Sequence, residues 1–241
     1  MSDYIETVWI ATATAVLLAV IVTIPARLGW RLMVAGVSGT WVGMAIAIAE
    51  AGKLASVATL GLLFAFPLVV TAGAVFAFPA VRSGLLAIPV SLIIGLNAFR
   101  VIGFNFLVLA SAGRLAGPFP QSAGWGDIIV GVFAVPVAML AIRRPANDWR
   151  LLAWNAFGTV DLVLAVSLGI TSGNGTPLQL IHAGVGSAAI QTLPWSLVPT
   201  VLVPLFLIGH GILFVHARAS ASIQGKMRSR ESRFSDAASA R

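Results

Sequence analysis

The sequence predicts an all-α fold: a polytopic membrane helix bundle of seven transmembrane helices, N-terminus outside and C-terminus cytoplasmic. Three observations carry this reading. Hydrophobic residues make up 59% of the 241 positions and charged residues only 10%, with a mean hydropathy of +0.98; an ordinary soluble domain carries about 25% charged residues. Seven apolar stretches reach the roughly 20 residues that cross a hydrocarbon core of about 30 Å. Basic residues then gather at alternate ends of those stretches, the pattern by which a membrane chain orients itself.

The stretches run over 6–26, 32–51, 54–78, 84–110, 124–142, 150–170 and 196–217. The first follows Asp3 and Glu6 without the basic segment that opens a signal peptide, so it is expected to stay as a span. Ala35, Gly36, Gly39 and Gly43 give the second overlapping small-xxx-small patterns suited to close helix packing. Pro67, Pro136 and Pro204 fall in the third, fifth and seventh, where each removes a backbone donor and is expected to kink its helix. Residues 111–123 read as a Pro/Gly loop. The longer connection, 171–195, carries no formal charge besides a protonated His182. Within it Thr176 and Pro177 suit the N-cap and first position of a short helix over 177–191, lying on the membrane interface, the favoured placement, or dipping back between the spans. The remainder, 218–241, is rich in Ser, Arg and Ala without apolar periodicity, and is expected to be a disordered basic tail beside an anionic leaflet. Two regions result: a transmembrane domain over 1–217 and the tail over 218–241.

Orientation follows from counting. With the N-terminus outside, twelve basic residues are cytoplasmic (Arg27, Arg31, Arg82, Arg143, Arg144, Arg150 and six in the tail), against Lys53 and Arg114 outside. Trp30 and Trp149 then flank inner ends and Trp125 and Trp195 outer ends, as an aromatic belt requires. The net charge of +7 therefore orients the chain and gives no reason to expect nucleic acid as a partner. Arginine outnumbers lysine thirteen to two. With abundant Ala and Gly, that bias points to a GC-rich bacterial genome and so to a bacterial inner membrane.

Ionisable and amide groups at membrane depth are expensive, about 2.5–3.5 kcal/mol for a central charge, and so mark candidate sites. Counting 1.5 Å per residue from each expected midpoint puts Asn97, Arg100 and Asp161 near the midplane. Asn105 and Asp127 lie about 10 and 12 Å outward, and Asn155 and His210 about 7 and 5 Å inward. The simplest arrangement pairs Arg100 with Asp161, with Asn97, three residues away, as second partner. Asp127 and Asn105 are expected to line an outer vestibule, and Asn155 and His210 an inner exit. Together these seven residues suit the binding and translocation of a small polar or anionic solute between helices 4, 5 and 6.

Other chemistries find no support. A chain without cysteine has no disulfide, zinc-thiolate site, iron–sulfur cluster or thiol nucleophile. Span 196–217 lacks the lysine of a retinal protein. Gly36-Val37-Ser38-Gly39 matches the GxSG motif of rhomboid proteases, but four such residues in a Gly-rich helix read first as a packing face. His and carboxylate residues nowhere gather at metal-ligand spacing. Neither cofactor, metal nor enzymatic activity is expected. The expected partners are the bilayer, the solute, and a second copy or another membrane protein. The competing class is a non-transporting sensor, assembly factor or accessory subunit.

Overall fold

The computed structural model describes residues 2–23 and 27–239. No β-strand occurs among them. In chain order the helices are α1 (Ser2–Thr23), α2 (Leu28–Glu50), α3 (Val57–Ala77), α4 (Pro79–Leu86), α5 (Val90–Leu96), α6 (Phe104–Ser111), α7 (Pro118–Arg143), α8 (Trp149–Thr171) and α9 (Val203–Ser239). A 3-10 segment, Asn97–Gly103, joins α5 to α6, and a π-type segment, Val198–Leu202, leads into α9.

Six of the expected spans are helices long and apolar enough to cross a membrane, from Leu28–Glu50 to Val198–Met227. The first expected span corresponds to α1, whose apolar part among the described side chains is Ile10–Ile21; the end of that span, 24–26, lies outside the described residues. Large apolar side chains face outward in helical stripes. On α3 these are Leu62, Phe66, Val69 and Phe76, and on α7 Val132, Val135, Met139 and Ile142, all more than half exposed. A surface of this kind requires lipid. The chain is a multi-pass membrane bundle.

Four local expectations are corrected. The fourth span is not one helix over 84–110: Pro89 lacks a backbone donor, so α4 ends at Leu86 and the crossing is rebuilt from Val90 to Ser111. The 111–123 loop is shorter, because Pro118 and Pro120 fall in the first turn of α7, where an N–H has no intrahelical partner to lose. Residues 177–187 form no helix. Thr176 Oγ1 donates to Gly173 O at 3.0 Å instead of capping, and Gly184 and Gly186 take φ of 50° and 55°. Finally, Trp195 is buried at 1% exposure inside the core rather than sitting in an interfacial belt.

Pro67 and Pro136 lie inside helices that continue through them, and Pro204 stands where the π-type segment changes to α-helix. Beyond position 218 the sequence predicts no regular structure, yet the backbone continues α9 to Ser239. That run contains no proline and is dominated by Ala, Arg, Ser and other residues a helix accepts.

The connection 172–197 folds back as a cap on one end of the bundle. Leu180 and Ile181 both donate from their N–H to Thr171 O at 2.9 Å, and Ser187 Oγ donates to Gly169 O at 2.7 Å. Ala116 N donates to Gly186 O at 2.9 Å, tying the 112–117 loop to it. Beneath this cap lies an apolar layer containing Ile10, Trp41, Phe106, Phe119 and Trp195; a second, with Ile93, Val130, Ala134 and Trp154, fills the opposite half. Asp127 of α7 and Arg100 of the 3-10 segment fall along the chain between members of these two layers.

Candidate functional site: a buried charge cluster

Seven consecutive residues in a 3-10 helix are unusual, since runs beyond three or four rarely persist. Here the segment Asn97–Gly103 is held against α7 by glycine. A Cβ on Gly131 would come within 2.7 Å of Val101 N, and one on Gly124 within 2.8 Å of Leu107. Gly124, Gly131 and Ala138 recur every seven residues and give α7 one smooth face, along which α5, the 3-10 segment and α6 lie. Close packing predicted for α2 occurs on α7 instead: Cβ atoms on Gly36, Gly39 and Gly43 would meet nothing within 4 Å.

This close approach delivers Arg100, with a wholly buried side chain, into the space between α7, α8 and α9. Its Nε donates to Asp127 Oδ1 at 2.7 Å, and its Nη2 to Asp161 Oδ2. Nη1 donates to Gly158 O at 3.2 Å and lies 3.3 Å from His210 Nε2. The Phe206 ring is 6.0 Å from the guanidinium carbon. Because a guanidinium can only donate, His210 Nε2 must accept, and the ring proton belongs on Nδ1. That nitrogen is 2.7 Å from Asn155 Oδ1, while Asn155 Nδ2 donates to His210 O at 3.2 Å. The donor roles thus assign a neutral His210 clasped by Asn155.

Three further glycines make room for these groups, one per surrounding element. A Cβ on Gly103 would lie 2.6 Å from Asp127 Oδ2. On Gly126 it would overlap the Asp161 carboxylate, and on Gly158 it would lie 2.6 Å from His210 Cε1 and 3.2 Å from Arg100 Nη1. Nothing in the sequence reading singled out Gly103, Gly126 or Gly158. The available signal was their spacing to the charges: Gly126 directly precedes Asp127, while Gly103 and Gly158 stand three residues after Arg100 and before Asp161.

The expected pairing of Arg100 with Asp161 is present. Asp127 is also a direct partner rather than an outer-vestibule group, and the reason is the early start of α7. Counted from Pro118–Arg143, Asp127 is about 5 Å from that helix's midpoint. His210 and Asn155 join the same cluster and do not form a separate inner level. Asn97 is not a partner of Arg100; its Nδ2 donates back to Ile93 O at 3.0 Å. Asn105 Nδ2 likewise bonds locally, donating to Ile102 O of the 3-10 segment at 2.8 Å.

Two small cavities meet at this site. One, of about 30 Å³, is bordered by Arg100, Asp127 and Trp195; the other, of about 60 Å³, lies between α3, α7 and α8, with Asp127 its one charged wall residue among those described. Asp127 lines both, with 15% of its side chain exposed against 7% for Asp161. The smaller cavity has room for a water or two, since one requires roughly 10–15 Å³. Among the described residues no group of three His, Asp or Glu suits a metal ion.

Residues 57–218, two thirds of the chain, match the model of the family described as Domain of unknown function (DUF8737). The match takes in every member of the cluster. No curated protein and no solved structure matches the chain.

Proposed function

The chain belongs to the DUF8737 family, and from that premise and the buried cluster we propose a multi-pass membrane protein that binds and translocates a small polar solute, with proton uptake at Asp127. The observation that carries this is a charge count. One guanidinium faces two carboxylates and a neutral imidazole, leaving the site one positive charge short. A net charge in a low-dielectric interior is costly, and a proton or a small cation cancels it. Asp127 is the group through which that charge enters, because it alone of the cluster borders both cavities.

An anionic solute held by Arg100 has less support. Nε, Nη1 and Nη2 are all engaged, so a carboxylate, phosphate or halide would first have to displace an aspartate. The reading gives no residue a catalytic role. It sets the protein in a bacterial inner membrane with seven spans, the N-terminus outside and the C-terminus cytoplasmic.

The test is proton flux into liposomes loaded with a pH-sensitive dye, under an imposed gradient, with and without a panel of small amines, amino acids and inorganic cations. Flux above that of protein-free liposomes, abolished by Asp127→Asn in folded protein, is the expected result. No flux for the wild type with any of these would overturn it. A second reading, a non-transporting sensor, assembly factor or accessory subunit, draws on α2, where a Cβ on Gly36, Gly39 or Gly43 would meet nothing within 4 Å among the described residues. Absence of flux with a stoichiometric membrane partner would favour that reading.

A further inference from the structure

Away from the cluster, α3, α4 and α9 enclose a groove of about 240 Å³, four times the cavity beneath Asp127. Its walls are Leu68, Val75, Leu207, Gly211, Ile212 and Val215, and among the described residues the polar lining is Thr71 and Arg82. The α3 wall runs from Leu68 to Phe76 and the α9 wall from Leu207 to Val215, each nine residues or about 12 Å along a membrane-crossing helix. The α3 wall therefore begins at the midpoint of its helix, and both walls lead to Leu85 and Leu86 of α4.

Arg82 sits on α4, the short helix that opens at Pro79 and packs on both α3 and α9. It is exposed and makes no ion pair among the described residues. A slot that is apolar along its length and cationic at its mouth fits a molecule with an alkyl chain and an anionic head. A water-soluble solute would leave its polar groups unpaired along the slot.

We propose that this groove is a specific site for an anionic phospholipid, one acyl chain lying between α3 and α9 and the phosphate resting on Arg82. Each buried methylene contributes hydrophobic stabilisation, and the arginine supplies headgroup selection. The site is separate from the Arg100 cluster and does not depend on what that cluster binds.

The experiment is native mass spectrometry of the full chain in a mild non-ionic detergent, with added phosphatidylglycerol or phosphatidylcholine of equal chain length. Wild type is expected to retain phosphatidylglycerol about fivefold better, the selectivity of one basic contact near the membrane surface. Arg82→Gln, at an exposed position, should abolish the preference while keeping the tail contribution. Gly211→Leu should reduce retention of both lipids; Gly211 lines the groove and a Cβ there meets nothing within 4 Å, so the added side chain takes up groove space. Equal retention of the two lipids by wild type overturns the proposal, as does a preference that survives Arg82→Gln. So does loss of preference in Lys53→Gln, a control outside the groove, since attraction is then general. Gel filtration and thermal unfolding confirm that each variant is folded before it is scored.

Discussion

At Arg100 the unequal count of charges makes the effects of substitution unequal too. Arg100→Gln leaves two carboxylates buried without a cation, and is expected to lower stability by about 3–5 kcal/mol, the usual penalty for a broken buried pair. Asp127→Asn or Asp161→Asn alone leaves a one-to-one pair, and each should change stability by less than about 1 kcal/mol, a typical limit when charges stay balanced. The double Asp→Asn variant strands the guanidinium and should cost more than the two single changes added together. Thermal unfolding in detergent reads this order; single aspartate variants as damaging as Arg100→Gln would contradict it. Gly158 tests the space rather than the charge. Its alanine variant must push His210 and Arg100 aside, at about 1–3 kcal/mol, whereas Gly211→Ala, with open space around it, should be neutral or stabilising by about 0.5–1 kcal/mol. The sequence marked the ionisable members of this cluster by their expense in lipid. It marked the glycines only by their spacing to those charges, because a glycine in an apolar helix otherwise has the same appearance whether it faces lipid or a carboxylate.

Among the elements, the cap 172–197 shows how local signals can mislead. Thr176 and Pro177 are good helix starters, but the chain that follows carries Gly184 and Gly186 in the left-handed region and turns back on Thr171. Alanine at Gly186 would suffer both the backbone penalty and a collision with Ser172 O; at Gly175, φ 70°, only the former applies, since nothing lies nearby. Gly175→Ala should therefore cost about 1 kcal/mol and Gly186→Ala clearly more. Faster amide exchange at Ala116 and Ser187, whose N–H groups are bonded within this cap, would report the opening in the second variant only. Equal effects would mean that the cap is not held at Gly186. The fourth span illustrates a different failure. Its hydropathy is continuous through Pro89, so composition reads one helix where backbone hydrogen bonding requires two.

For the molecule as a whole, topology is the property most open to direct test. A chain without cysteine accepts single-cysteine probes against a silent background. Ala112→Cys, in the connection that meets the cap, should react with a membrane-impermeant maleimide in intact cells. Ser83→Cys, on α4 at the opposite end, should react only after permeabilisation. The reversed pattern would place the basic ends outside and reject the orientation drawn from the arginines. That orientation also sets the leaflet of the proposed lipid site, since Arg82 lies at the basic end.

By itself the sequence determined the solvent of this protein and the rough extent of six crossings, because both are sums over many residues and tolerate local error. It also named Arg100, Asp127, Asp161 and His210, since a charge or imidazole in an apolar run is conspicuous without knowledge of its neighbours. Only the tertiary structure decided which of these meet. Partnership depends on azimuth and on errors of a few ångströms in depth, and those were set by Pro89, by the seven-residue 3-10 segment and by the early start of α7. Depth counted along one helix separated Asp127 from Arg100; packing on the glycine face of α7 brought them to 2.7 Å.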